Sequence, residues 1–66
     1  MNMCESNVYL IDKQGNEKLL LESVDRITPE GDNITLESIF SQRMSVRARI
    51  KEMTLVQHRI VLEERD

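Results

Sequence analysis

Cysteine occurs once in this 66-residue chain, at Cys4, and a lone thiol excludes an internal disulfide. An unpaired cysteine suits a reducing compartment, so the cytoplasm is the expected location. Aromatic residues are nearly absent, with only Tyr9 and Phe40, which leaves little for base stacking along an aromatic platform. No apolar run approaches the ~20 residues of a membrane span. Nor does a run of ~7–15 apolar residues follow a basic start, as a secretory signal requires. A Gly-rich phosphate loop is lacking, and the one histidine, His58, stands far in sequence from the one cysteine. No recognisable catalytic set is left, so the chain reads as a non-enzyme. A basic balance is missing too. Nine Lys and Arg against twelve Asp and Glu give a net charge of −3, whereas a nucleic-acid-binding domain is usually basic overall.

The shortness of the chain has its own consequence. Residues 1–66 read as a single domain, and folding at this size buries only ~60% of the surface that the unfolded chain exposes. Small scaffolds lean on a disulfide, a metal or a partner subunit. With the disulfide excluded, a bound metal or a second chain is the available support. Residues 1–6 read as a flexible N-terminus carrying Cys4, and residues 64–66 as a charged tail.

What the chain does contain is short β-like runs broken by turn residues. Asn7 to Asp12 is rich in strand formers, and Lys13-Gln14-Gly15-Asn16 after it reads as a hairpin loop. Glu17 to Glu22 returns as a strand, and Val24 to Thr28 forms another, closed by Pro29. A helix competes in this stretch, because Leu20, Val24 and Ile27 are spaced four and three apart. Strand is preferred, since a helix would start straight out of a tight turn with weak capping. Glu30-Gly31-Asp32-Asn33 is the strongest turn signal, and Ile34 to Phe40 is strand-like in composition. Arg43 to Ile50 alternates cleanly, with Met44, Val46, Ala48 and Ile50 on one face and polar residues on the other. Thr54 to His58 reads as a turn before a last strand, Arg59 to Glu63. About five or six short antiparallel strands with turns at this spacing predict an all-β fold. At this length the expected form is a small, strongly bent barrel, with sheet edges that a homodimer would cover.

Two constellations carry candidate chemistry. Cys4 is either a small buried hydrophobe at the start of the first strand or the best soft donor in the chain. As a thiolate with backbone nitrogens beside it, it suits Ni(II) or Cu(II) in square-planar geometry. One chain supplies too few side-chain ligands near residue 4, whereas a two-fold axis near the terminus would bring two Cys4 thiolates together. The other donors are weaker: His58, in its turn, reads as an exposed or capping histidine before a metal ligand, and of the possible thioether ligands Met1, Met3, Met44 and Met53, Met44 reads rather as core. The second constellation is Arg43, Arg47, Arg49 and Lys51, which share one face of a regular strand. They either track a phosphate backbone as a small RNA-binding module or pair with carboxylates such as Glu37 on neighbouring strands. The acidic balance favours pairing.

Taken together, these segments resemble a known family. A Met3-Cys4 start leads into a strand ended by Lys13-Gln14-Gly15-Asn16-Glu17, followed by the acidic turn Glu30-Gly31-Asp32 and the Ile34-to-Phe40 strand. The chain closes on Ile50-Lys51-Glu52-Met53 and Arg59-Ile60-Val61-Leu62-Glu63. The pattern, from Met3 to about Glu63, resembles the CooT family of small bacterial and archaeal proteins, also catalogued as predicted RNA-binding proteins. The resemblance implies a small β-barrel homodimer that binds nickel through the cysteine following the initiator methionine. It further implies a metallochaperone or metal store serving a client nickel enzyme, carbon monoxide dehydrogenase. The functional position carries over to Cys4. Here Met1-Asn2 precedes Met3-Cys4. Translation from Met3, with that methionine removed, would give Cys4 a free amine and a five-membered N,S chelate. With Met1-Asn2 retained, a backbone amide must take the amine's place.

Overall fold

At the Lys13-Gln14-Gly15-Asn16 turn, the carboxylate of Asp12 accepts from the backbone N–H groups of Gln14 and Asn16, both at 2.9 Å. Gly15, at φ 88°, donates its N–H to the Asp12 carbonyl at 2.9 Å. This side-chain mimic of a backbone turn fixes the first hairpin of the computed structural model, which describes residues 5–66. The strands are β1 (Ser6–Ile11), β2 (Glu17–Glu30), β3 (Asn33–Ser38), β4 (Arg43–Thr54) and β5 (Arg59–Glu64). They hydrogen-bond in sequence order, and β5 returns beside β1 to close the ring. Four pairings are antiparallel, as expected. The closing one is parallel, with Val8 opposite Ile60 and Leu10 opposite Leu62.

The two runs expected at Glu17–Glu22 and Val24–Thr28 are one continuous strand. It bends because it carries extra residues. Between Ser6 and Val8 of β1, the partners on β2 step from Val24 to Leu21; between Val8 and Tyr9 they step from Leu21 to Leu19. Against β3, β2 advances from Val24 to Arg26 while β3 moves only from Ser38 to Glu37. Each bulge reverses which side of the strand faces the core. That is why Leu20, Val24 and Ile27 all lie on the inner side although their spacing imitates a helix. Ser23, inside this bulged stretch, has a left-handed φ of 56°. Its N–H is held by the Asn7 side chain at 3.2 Å and its carbonyl by the Ile39 N–H at 2.9 Å.

β4 behaves similarly. Ala48 is buried and Met44 and Val46 pack against the core, as the alternation predicts. Ile50 departs from the pattern at 37% exposure. The register shifts at Lys51, where β4 moves two residues, Ile50 to Glu52, while β5 moves one. The strand runs on through Lys51–Thr54 before turning. The ring is uneven: β2 passes from β1 to β3 at Val24, and β4 passes from β3 to β5 between Arg47 and Ala48. Each strand pairs with two others, but each half of β2 and of β4 is paired on one side only.

Val8, Leu10, Val24, Ile34, Leu36, Ala48, Ile60 and Leu62 form the core. The buried polar residue Ser38 ties the β3–β4 loop to it. Its hydroxyl oxygen accepts from the N–H groups of Phe40 at 3.1 Å and Gln42 at 3.2 Å. The loop also contains Ser41 at φ 65°. Removing the hydroxyl leaves two part-buried donors unmet, a cost of about 1–3 kcal/mol. Ser38→Ala is therefore expected to lower the urea midpoint without changing the slope of the transition. An unchanged midpoint would show that water replaces the hydroxyl freely.

Candidate metal-binding end of the barrel

The first described residue, Glu5, follows Cys4 directly, and what holds it is the β4–β5 turn. Leu55 to His58 form that turn, closed by the His58 N–H donating to the Leu55 carbonyl at 3.1 Å. His58 then binds the start of the chain twice. Its carbonyl accepts from the Asn7 N–H at 2.9 Å. Its ring Nδ1 lies 3.0 Å from the Glu5 carbonyl oxygen. A carbonyl can only accept, so Nδ1 carries the proton. His58 itself sits at φ 53°.

Beside this anchor is a mainly apolar cavity of about 370 Å³ between β2 and the end of β4, lined by Val24, Ile27, Met53 and Ile60 with Asp25 and His58. The turn was expected to lay some apolar cover on the molecule. Instead Leu55 and Val56 project outward, at 72% and 92% exposure, and Met53 is about half exposed. Glu5, a histidine and exposed apolar side chains thus share one end of the barrel.

Cys4, the expected metal ligand, lies outside the described residues, as do Met1 and Met3. Among the described residues no three His, Asp or Glu side chains stand together as a metal site. His58, a weaker metal candidate in the sequence reading, is tied through Nδ1 to the carbonyl of Glu5, the residue after Cys4. The signal for it is not local: it requires knowing that the turn before β5 meets the residues before β1, which follows only from the parallel β1–β5 pairing.

The basic face divides. Arg49 binds Glu63 through two nitrogens, at 2.8 and 2.9 Å. Arg47 binds the main-chain oxygen of Asp66 and reaches the Asp32 carboxylate at 3.5 Å. Asp32 also takes Arg65 at 3.2 Å. Arg43 stands opposite Glu37 in the β3–β4 register. Lys51 occupies the bulge, so regular alternation ends there. Lys13 pairs with Asp66, and this contact raises the Lys13 pKa above its usual value and lowers that of Asp66. Arg47 and Arg49 on this face are thus engaged by carboxylates. Each exposed pair contributes little stability by itself.

The charged residues at the opposite end are similarly mixed, in an open hollow of about 510 Å³ lined by Asp12, Lys13, Arg49, Glu63 and Asp66 among others. On the outer wall Arg59 lies 4.2 Å from the centre of the Tyr9 ring and binds Glu17, joining β5, β1 and β2. No helix among the described residues is long and apolar enough to cross a membrane.

Comparison with known proteins places these features in context. The family model described as "CO dehydrogenase accessory protein CooT" matches residues 3–63. A crystal structure assigned as CooT from Carboxydothermus hydrogenoformans superposes with a TM-score of 0.86 at 41% sequence identity. It covers 96% of this chain and 100% of the other. A protein of Archaeoglobus fulgidus described as uncharacterized is 42% identical over 43 residues, 65% of this chain and 96% of that protein.

Proposed function

The chain belongs to the CooT family of CO dehydrogenase accessory proteins, and from that premise we propose that it is a cytoplasmic, non-enzymatic nickel carrier or store. Two protomers hold one Ni(II) through their Cys4 thiolates, and the ion is cargo for a client nickel enzyme such as carbon monoxide dehydrogenase. The observation that carries this reading is the family match itself, which begins at Met3 and so has Cys4 as its second residue. Further support comes from the anchoring of Glu5 and Asn7 to the β4–β5 turn, which gives the thiol's chain segment a fixed point of departure.

The donor chemistry fits a borderline-soft ion. A thiolate with adjacent amide or amine nitrogen favours square-planar Ni(II). Binding requires the deprotonated thiol, so each Cys4 releases its proton to solvent as the ion enters. The exposed Met53, Leu55 and Val56 beside the chain start provide apolar surface for the second protomer to cover. Dimerisation and metal binding are then linked, each favouring the other. Native mass measurement during Ni(II) titration is expected to show one ion per dimer, with a thiolate-to-nickel absorption band rising in step. A loaded monomer, or a dimer that takes up no nickel at excess metal, would sink the proposal.

A further inference from the structure

We infer that the gap between the second half of β2 and the second half of β4 takes one extended segment of another protein, apolar at alternate positions and carrying a lysine or arginine that meets Asp25. The inference involves neither nickel nor the residues before Glu5.

The gap is wide enough for a strand. From Asp25 onward β2 is paired with β3 alone, and from Ala48 onward β4 is paired with β5 alone. No Cα of β2 comes within 8 Å of a Cα of β4, so the two free edges do not meet. A single strand placed between two others holds them roughly 9.5 Å apart, twice the usual spacing. Two hollows lie in line along the gap. One, of about 370 Å³, is lined from β2 by Val24, Asp25 and Ile27 and from β4 by Met53. The next, of about 180 Å³, is lined from β2 by Pro29 and from β4 by Ala48, Arg49 and Ile50. Beneath them lie the core residues Val24, Ile34, Ala48 and Ile60.

Such a slot suits strand addition, in which main-chain hydrogen bonds hold a peptide and alternate side chains enter pockets. Pro29 lacks an N–H, and Lys51 sits in a bulge. Interruptions of this kind oppose open-ended pairing with further copies and leave room for one short guest. Charge then defines what the guest carries. Asp25 is exposed, and among the described residues no ion pair engages it. At the far end of the gap, Arg49 and Arg65 are already held by Glu63 and Asp32. His58, the other ionisable residue lining the first hollow, has its Nδ1 bound to the Glu5 carbonyl. The unanswered charge is negative, and a cationic side chain on the guest answers it.

The probe is the synthetic peptide acetyl-Lys-Val-Thr-Val-Thr-Val-Thr-amide, whose residues favour an extended strand, added to the isotope-labelled, metal-free full chain. Amide shifts in the NMR spectrum are expected along Asp25–Thr28 and Ile50–Met53. Exchanging the peptide's lysine for glutamate, or Asp25→Asn in the protein, is expected to weaken binding about twofold to fivefold, the range of one exposed charge pair. Equal binding by the glutamate peptide, shifts outside the gap, or no shifts at millimolar peptide would overturn the inference. So would movement of the same amides when the metal-free chain is diluted without peptide, because a second copy then fills the slot.

Discussion

Replacing Cys4 by serine is expected to abolish the thiolate-to-nickel band and to weaken Ni(II) binding at least about a hundredfold. The size follows from what one soft donor is worth. Tetrahedral zinc sites bind with about 10–16 kcal/mol shared over four ligands, or roughly 3 kcal/mol each, and every 1.4 kcal/mol is a factor of about ten. Serine keeps the shape but offers a hydroxyl that stays protonated and binds nickel poorly. The same substitution separates the two meanings of Cys4. Among the described residues the buried core runs from Val8 to Leu62, and a thiol that serves only as ligand can be lost without moving the urea midpoint of the metal-free chain. If the thiol serves instead as a buried hydrophobe, Cys4→Ser lowers that midpoint and Cys4→Ala restores part of it. Titration and urea unfolding of the two variants therefore give opposite patterns. An intact band in Cys4→Ser would remove Cys4 from the site altogether.

The all-β class was legible because Arg43 to Ala48 alternate strictly and because turn chemistry at Gly15 and Gly31 is local. Both glycines do take left-handed angles, 88° and 63°. Illegible were the bulges. A residue inserted at Asp25 or Lys51 leaves no mark in composition, yet it reverses the facing of every residue beyond it. The Leu20, Val24, Ile27 spacing was thus ambiguous in sequence and became unambiguous only once β1 and β3 set the register of β2. Parallel closure of β5 on β1 was also hidden, since a pairing between the first and last strands has no local signature.

For the site, the residues alone left Cys4 balanced between core and ligand, and it was the family resemblance that singled out nickel. The arginine face shows the opposite relation. Its alternation was visible, but its partners Asp32, Glu63 and Asp66 are distant in sequence and were brought to it by the fold. Glu37, the carboxylate expected as a partner, stands opposite Arg43 in the β3–β4 register.

Leu62→Ala should lower the urea midpoint of the metal-free protein by at least about 2 M, and saturating Ni(II) should recover much of the loss. Leu62 is fully buried on the closing strand, opposite Leu10 on β1 and Ile50 on β4. Truncating such a leucine costs about 2–5 kcal/mol. At about 0.05–0.15 kcal/mol per residue, a domain of this size has roughly 3–10 kcal/mol in total. The substitution therefore removes from about a fifth to all of the stability, and with a urea slope of about 1 kcal/mol/M it moves the midpoint by at least about 2 M. Val56→Ala, on a side chain 92% exposed, should move the metal-free midpoint hardly at all. A ligand that binds only the folded dimer stabilises it by about 2.7 kcal/mol at a hundred times its dissociation constant, an amount comparable with the lower end of the loss. Far-UV circular dichroism of Leu62→Ala in urea, with and without Ni(II), reads both effects in one experiment. If nickel binds but leaves the midpoint where it was, the ion must bind folded and unfolded chains alike. In that case the anchoring of Glu5 by His58 contributes nothing to the site.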